Sequence, residues 1–426
     1  MILHGDPLEQ RILADMNERV ALGYNFSPSA CIVTSDKVSY LFPRKDSSAH
    51  DLYEIGSVTK FFTAHLCSLL QGEGKIDLYQ PIDNLVQQIF PQTHLSLRKK
   101  TLYDLLTHTS GLIDPASEDY FNESTGNTIA IVDLSLSAID EYLSEQHLAD
   151  FVESPIYSNL GYILVGLILE EATGKQYGSL LKQYILDPLR MHETFVGMPE
   201  SKSLKKVLGH SQGRVVPYWK TERYGAFASI VSTPHDLGIY FQHLIFSSTL
   251  SESLSKTPFK LKNMQVYSGL GWSLDERYGG HMYALTGRTL GFSSFVGWDP
   301  KSRSAIIFLS DSDTFGNMPY RWLCDAFPQD HLQQEVSLDD ELIQKIEGTY
   351  VDPSTLEELF TIRATKQYLL LSKEGQLPLV LYRSAKGTFF SKWACDDSLL
   401  SIRDEGGKLI ICEIRGAKER IIARKV

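Results

Sequence analysis

The sequence predicts an α+β protein carrying a separate all-β tail. Three observations predict it. Strand patterns occur early, at 30–34 and 38–42, and return late, at 267–274, 281–285 and 305–309. The stretch between, from about Asp77 to His210, reads mainly as helices and loops. From about Ile346 the chain breaks into short apolar or alternating runs separated by glycine turns. Early and late strands combine into one antiparallel sheet flanked by helices, with a helical insertion beside it. The tail forms a small, lipocalin-like antiparallel barrel. A chain of 426 residues can bury more than one core. The expected division is a main domain over 1–328, a polar linker over 329–340 and a barrel over 341–426.

Taken in order, the first element is an amphipathic helix. Asp6 is placed as N-cap, Pro7 at the first helical position and Glu9 at N3, with Leu8, Ile12, Met16 and Val20 on one face. Ala30–Thr34 and Val38–Phe42 read as a hairpin turned by Ser35-Asp36-Lys37. Gly56 then precedes Ser57-Val58-Thr59-Lys60 and the apolar run Phe61, Phe62, Leu66, Leu69, Leu70, ending at Gly72. Helices are expected at 102–107, 137–143 and 160–173, the last stopped by Gly174. In the tail, strands are expected at 348–351, 359–363, 368–372, 377–382, 388–391, 399–402, 409–414 and 420–423.

Composition excludes several classes of function. The net charge of −11 is spread along the chain without a basic block, so no nucleic-acid partner is expected. The longest near-apolar stretch, 163–169, falls far short of the roughly 20 residues that cross a bilayer. The first segment is charged and resembles no secretory leader. Five scattered cysteines (Cys31, Cys67, Cys324, Cys395, Cys412) offer neither Cys-x-x-Cys nor metal spacing. They read as reduced core residues of a cytoplasmic protein.

Chemistry enters at Ser57 and Lys60. Residues three apart share a helix face, so an amine stands beside a hydroxyl. At a helix start, free N–H groups and the dipole favour a developing anion. A nearby base and waiting oxyanion donors are what an acyl-transfer nucleophile needs. The pattern alone is weak, since Ser96/Lys99, Ser179/Lys182, Ser203/Lys206 and Ser253/Lys256 share it. Only the first stands between a glycine and an apolar helix.

Further blocks follow in order: Leu105-Leu106-Thr107-His108-Thr109-Ser110-Gly111-Leu112, Tyr157-Ser158-Asn159-Leu160-Gly161-Tyr162, Val231 to Leu237, Gly269-Leu270-Gly271-Trp272, and Thr286 to Ser294. With these blocks, residues 5–325 resemble the serine β-lactamase and penicillin-binding-protein-like hydrolases of the class C type. That group includes D-peptidases and carboxylesterases. The resemblance implies a class C β-lactamase-like main domain and a Ser57 nucleophile, with Lys60 and Tyr157 exchanging its proton. It implies an oxyanion site from the N–H groups of Ser57 and Arg288, and Asn159 bonded to Lys60 or to a substrate amide. No metal or organic cofactor is implied, and the partner is a small-molecule or short-peptide acyl substrate. Free lysine and tyrosine side chains both titrate near pH 10, so proton transfer belongs to a coupled pair.

Other residues invite the wrong role. His108 suggests a Ser-His-Asp hydrolase, but no Gly-x-Ser-x-Gly elbow exists, and the His-Thr-Ser-Gly block of the resembled family is a supporting loop. Asp104 and Asp236 read as helix-end or packing residues, and His210 and His281 as structural. Tyr120-Phe121-Asn122 also fits Tyr-x-Asn but lies in a polar loop without a following helix. One departure matters: Leu285 precedes Thr286-Gly287 where the family usually has His or Lys to bind a substrate carboxylate. The expected activity is therefore esterase- or D-peptidase-like rather than that of an efficient β-lactamase. Two alternatives stand beside it: an acyl transferase or peptide cyclase, and a decayed binding protein of the same fold.

Overall fold

A computed structural model describes residues 5–426 apart from 116–120, 123–126, 129–133, 147, 149–154, 221, 247–258, 261–265, 276–281, 300–302, 314–318, 320–321, 323–334, 374–377, 392–398, 406–407 and 416–417. Helix α1 (Gly5–Ala21) leads into the expected hairpin of β1 (Ser29–Val33) and β2 (Val38–Leu41). Leu8, Ile12 and Met16 are buried as the periodicity requires. The next buried position is Arg19, not Val20, because three turns of a 3.6-residue helix take about eleven residues. Burial of that guanidinium is compensated by Asn25, whose side-chain oxygen accepts from it, and by the ring of Tyr24.

The late strands are β3 (Phe259–Lys260), β4 (Val266–Ser268), β5 (Ser273–Asp275), β6 (Met282–Arg288), β7 (Ser293–Asp299) and β8 (Ser304–Ser310). The sheet runs β3-β4-β5-β6-β7-β8-β1-β2, antiparallel throughout. Strands from the two ends of the domain meet at β1 and β8, with Ser29 opposite Leu309 and Val33 opposite Ala305. Helices α2 (Thr59–Gly72), α3 (Asn159–Thr173) and α4 (Pro234–Phe246) come from the intervening chain. The α+β arrangement expected for this domain, one antiparallel sheet flanked by helices from the intervening chain, is the one observed.

Alternation sorts the sheet into two faces. Cys31, Val33, Leu285, Val296 and Ile307 share one core with Phe61 and Phe62 of α2 and Phe241 of α4. Ala30, Ile32, Ala284, Phe295, Ile306 and Phe308 turn the other way, onto Ile12 and Met16 of α1. The barrel reaches this second face: Val380, Tyr382 and Phe390 join the same cluster. Hydrogen bonds from Trp322 to Asp15 (2.7 Å) and from the Tyr382 hydroxyl to Glu18 (2.6 Å) hold α1 against both neighbours.

The barrel closes from β9 (Gly348–Val351) through β10 (Glu358–Ala364), β11 (Leu369–Ser372), β12 (Leu379–Arg383), β13 (Phe389–Phe390), β14 (Leu399–Glu405) and β15 (Lys408–Arg415) to β16 (Lys418–Lys425). Each expected run became one strand, and Val351 pairs with Arg424 to complete the ring. Inside are Tyr350, Ile362, Leu369, Leu381, Ile411 and Ala423. A helix, Asp340–Ile346, leads in and is capped by the Asp339 carboxylate.

Several expectations need correction. The run 267–274 is two strands, because the chain turns at Gly269-Leu270-Gly271, where Gly271 has φ +73°. Strand β7 was not anticipated. Residues 293–297 are buried on both faces, so no polar alternation marks them. Helix α4 was expected only as a motif. His281, Tyr120, Cys324, Cys395 and residues 329–334 of the expected linker lie outside the described residues. Cys31, Cys67 and Cys412 are buried. No helix among the described residues is long and apolar enough to cross a membrane.

Candidate active site

The site begins where Tyr53–Glu54, paired with Ile230–Ser232, runs into a 3-10 turn at Gly56–Val58 and then into α2. This turn lies directly on β6. A Cβ on Gly56 would sit 2.6 Å from Arg288 N and 2.8 Å from Arg288 O, and its φ is +50°. From the other side, a Cβ on Gly287 would sit 2.0 Å from Ile55 O. Two glycines therefore let two backbones touch. Ser294 Oγ donates to Ile55 O (2.7 Å) and fastens the contact. Strand β5 pairs with β6 only at 282–284, so no described strand pairs with the outer edge of 285–288. The turn bearing Ser57 abuts that edge.

Lys60 follows one turn along α2 and is 2% exposed. Its Nζ donates to Ser57 Oγ (3.0 Å), Asn159 Oδ1 (2.9 Å) and the Phe227 carbonyl (3.0 Å). Three acceptors match the three donors of an ammonium, which is how a buried lysine is tolerated. Its cationic head also faces the rings of Tyr157, Tyr162 and Phe227 at 4.9–5.5 Å. The turn at Gly271 presses on the same helix, leaving 2.7 Å between a Cβ there and Lys60 O.

Tyr157 reaches Ser57 from the open side, its hydroxyl 2.8 Å from Ser57 Oγ. The residue is 53% exposed, so the hydroxyl stands at the mouth of the site. His108 steadies its backbone. With φ +60°, His108 accepts from Ile156 N at its carbonyl (2.8 Å) and from Ser158 N at Nδ1 (3.1 Å). A nitrogen that accepts carries no proton. Burial, reinforced by the Lys60 charge, accordingly lowers the His108 pKa to about 3. His108 and Tyr157 rings lie 4.5 Å apart. The imidazole is thus spent on the backbone, and Lys60 and Tyr157 hold the positions beside Ser57.

Asn159 is the first residue of α3, and the cap is Ser158, whose Oγ accepts from Gly161 N (3.0 Å). Asp114 completes this helix start. Its carboxylate accepts from Ser158 Oγ (2.7 Å), Asn159 N, Leu160 N and Asn159 Nδ2 (2.9 Å each). By taking the Asn159 amide NH₂, it turns Oδ1 toward Lys60. Sequence reasoning missed Asp114. The signal available was an acid just beyond the His-Thr-Ser-Gly block, in a loop where acids are common.

Leu285 is 5% exposed and packs in the main core. It supplies no cation and almost no open surface. Thr286 and Arg288 are exposed on the opposite side of β6, and Arg288 lies 3.7 Å from Asp313. Asp104 caps its own helix reciprocally with Thr101, and His210 lies against the Asp311 carbonyl (3.0 Å); both are structural, as expected. A second unforeseen residue is Glu54, which is 4% exposed. Its Oε1 accepts from Trp219 N (2.6 Å), and the Thr289 hydroxyl beside the carboxylate opposes, without cancelling, the effect of burial. Burial, with Glu222 adding to it, raises the Glu54 pKa to about 7. The ring of Trp219 meets Phe227 edge-on at 5.8 Å, behind Lys60.

Sheet and helices define a fold of the class C β-lactamase type. The β-lactamase family profile matches residues 29–323, and the chain belongs to that family. Penicillin-binding protein 4* of Bacillus subtilis is 24% identical over 90% of this chain and 90% of its own length. The octameric penicillin-binding protein homologue from Pyrococcus abyssi superposes with TM-score 0.68 and 20% identity, covering 98% of this chain and 99% of that one. A D-stereospecific amidohydrolase from Streptomyces sp. gives TM-score 0.60 and 22% identity over 75% and 98% of the two chains.

Proposed function

We propose that the protein is a serine hydrolase that works through an acyl-enzyme at Ser57 on a neutral ester or amide. The observation that carries this reading is the pair of contacts on one oxygen: Lys60 Nζ at 3.0 Å and the Tyr157 hydroxyl at 2.8 Å from Ser57 Oγ. With one of the two deprotonated, that group takes the serine proton as the oxygen attacks a carbonyl, and the pair returns it to the leaving group. The developing oxyanion sits between the N–H groups of Ser57 and Arg288, at the seam formed by Gly56 and Gly287. Water, bound where the leaving group departed, then releases the acyl group. Asn159, Thr286 and Gly287 position the acyl chain along the outer edge of β6.

The buried Leu285 supports a preference for neutral substrates. A carboxylate needs a charged or multiply bonded partner to offset its desolvation. Losing one charge-assisted bond of ~1.5–3 kcal/mol corresponds to roughly ten- to a hundred-fold in rate. Esterase or D-peptidase activity therefore ranks above β-lactamase activity. The functional division follows the same reading: residues 1–328 carry the chemistry, and the barrel over 341–426, beyond the linker 329–340, supplies neither nucleophile nor base.

The test is covalent. A fluorophosphonate probe should modify one peptide, the one containing Ser57, and Ser57→Ala should abolish labelling without unfolding the protein. Labelling at another serine overturns the assignment. Comparing kcat/KM for substrates matched except for a carboxylate tests the preference, which fails if the charged member reacts faster.

A further inference from the structure

A second cluster of chemically competent side chains lies outside the Ser57 site. His50, Glu193 and His235 come from three distant parts of the chain, and one potential ligand atom from each lies within 4.8 Å of the other two. His50 belongs to the loop leading to Tyr53–Glu54, Glu193 to the turn before Phe195–Val196, and His235 to the first turn of α4. His50 Nδ1 is 2.7 Å from Glu193 Oε2, and the imidazole rings are 4.9 Å apart.

We propose that His50, Glu193 and His235 form a binding site for a zinc ion, with water completing the coordination.

Donor chemistry selects the class of metal. Two imidazoles and one carboxylate suit zinc and its borderline neighbours, whereas magnesium and calcium favour sets made of oxygen alone. Geometry is close to what the ion needs. Bonds of about 2.0–2.2 Å in a tetrahedron place ligand atoms roughly 3.3 Å apart. The observed spread, from 2.7 to at most 4.8 Å, is bridged by side-chain rotation.

The surroundings do the rest. Asp236 is 1% exposed, and its Oδ1 lies 3.2 Å from His235 Nδ1. A proton held there leaves His235 Nε2 as a lone pair, the carboxylate–histidine arrangement that orients zinc ligands. The other oxygen, Oδ2, accepts from Glu193 N (2.8 Å) and Thr194 Oγ1 (2.9 Å), so one buried carboxylate positions two of the ligands. The third is tied in by His235 N donating to Ala49 O (2.9 Å), beside His50. Zinc replaces the hydrogen bond between His50 Nδ1 and Glu193 Oε2 and takes both atoms as ligands. The side chains of His50, Glu193 and His235 are 58%, 24% and 38% exposed, which leaves the site open to ions from solvent.

The test uses the full chain, stripped with chelator and titrated with zinc chloride by calorimetry. Wild type should bind one equivalent and gain melting temperature. Cobalt chloride should give visible absorption of a four- or five-coordinate ion. His50→Asn and Glu193→Gln, both on the surface, should each weaken zinc binding at least tenfold and remove the thermal gain, while Ser57 labelling persists. Asp236→Asn should weaken binding roughly ten- to a hundred-fold. The assignment falls if wild type binds no zinc, or if the double variant His50→Asn, Glu193→Gln binds it as wild type does.

Discussion

Replacing Asp114 by Asn changes one oxygen to NH₂ and keeps the shape, so its cost can be worked from contacts. Asp114 Oδ1 accepts from Ser158 Oγ and Leu160 N, and Oδ2 from Asn159 N and Nδ2. The NH₂ settles at the Oδ1 position, where the Ser158 hydroxyl can turn to accept from it but Leu160 N faces a donor. One hydrogen bond to a charged acceptor is lost at ~1.5–3 kcal/mol, the remaining three each weaken by about 1 kcal/mol as the acceptor becomes neutral, and the favourable charge at the start of α3 adds about 0.3–1 kcal/mol. Water reaches this half-buried site and recovers part. We expect a loss of ~3–5 kcal/mol in urea unfolding at unchanged m-value. Asp114→Ala should cost no more than Asp114→Asn, since it leaves room for water and creates no donor–donor clash. Turnover should fall as well, roughly ten- to a hundred-fold in kcat/KM, because a neutral amide holds the Asn159 NH₂, and with it Oδ1 facing Lys60, less firmly than a carboxylate. If Asp114→Asn stays within about 1 kcal/mol of wild type and turns over normally, the carboxylate is not what organises this helix start.

Three further outcomes are expected. Glu54, raised to about 7 from 4.5, favours the folded state when protonated; that contribution is complete below pH 4.5 and is lost as pH rises through about 7. The change is about 3 kcal/mol, so Glu54→Gln should flatten the stability profile over this window, and an unchanged slope in chemical denaturation would refute the role. Gly287→Ala forces a Cβ within 2.0 Å of Ile55 O, so ~1–3 kcal/mol of overpacking and a displaced Ser57 turn should appear as slowed probe labelling; normal labelling kinetics would contradict the seam. Removing residues 329–426 uncovers Ile12, Met16 and Phe308 beneath Val380, Tyr382 and Phe390, so the shortened chain should scatter light at lower temperature yet still label at Ser57; a folded, unreactive product would place the barrel in the chemistry.

Legibility in the sequence followed the kind of signal each element carries. The barrel strands were readable because one face is wet and glycine turns separate them. Strand β7 was not, since Ser293, Ser294, Phe295, Val296 and Gly297 are all covered and the polar ones are satisfied inside. At the site, Ser57, Lys60 and Tyr157 could be named because their side chains appear in ordered motifs. The Phe227 carbonyl that receives Lys60 could not, because a backbone oxygen has no letter of its own. Asp114 and Glu54 look like ordinary acids until the fold buries one and wraps the other in donors. Leu285 was legible as a missing cation, while its place inside the core depended on the pleat of β6.

The joining of early and late strands in one sheet also sets when the site comes into being. Ile55 meets Ser294 across 239 residues, Lys60 meets Phe227 across 167, and Asn25 meets Ser310 across 285. Closing such long loops adds only about 0.6 kcal/mol per doubling of length, so distance barely taxes the finished structure. It governs timing instead, because non-local pairing is slow and must wait for the whole segment. A ribosome that has released Ser57, Lys60 and even Tyr157 has released an inert hydroxyl. The turn acquires its neighbour strand only when β6 and β7 have emerged and the sheet has shut. Order of synthesis thus acts as a safety catch on the proposed nucleophile.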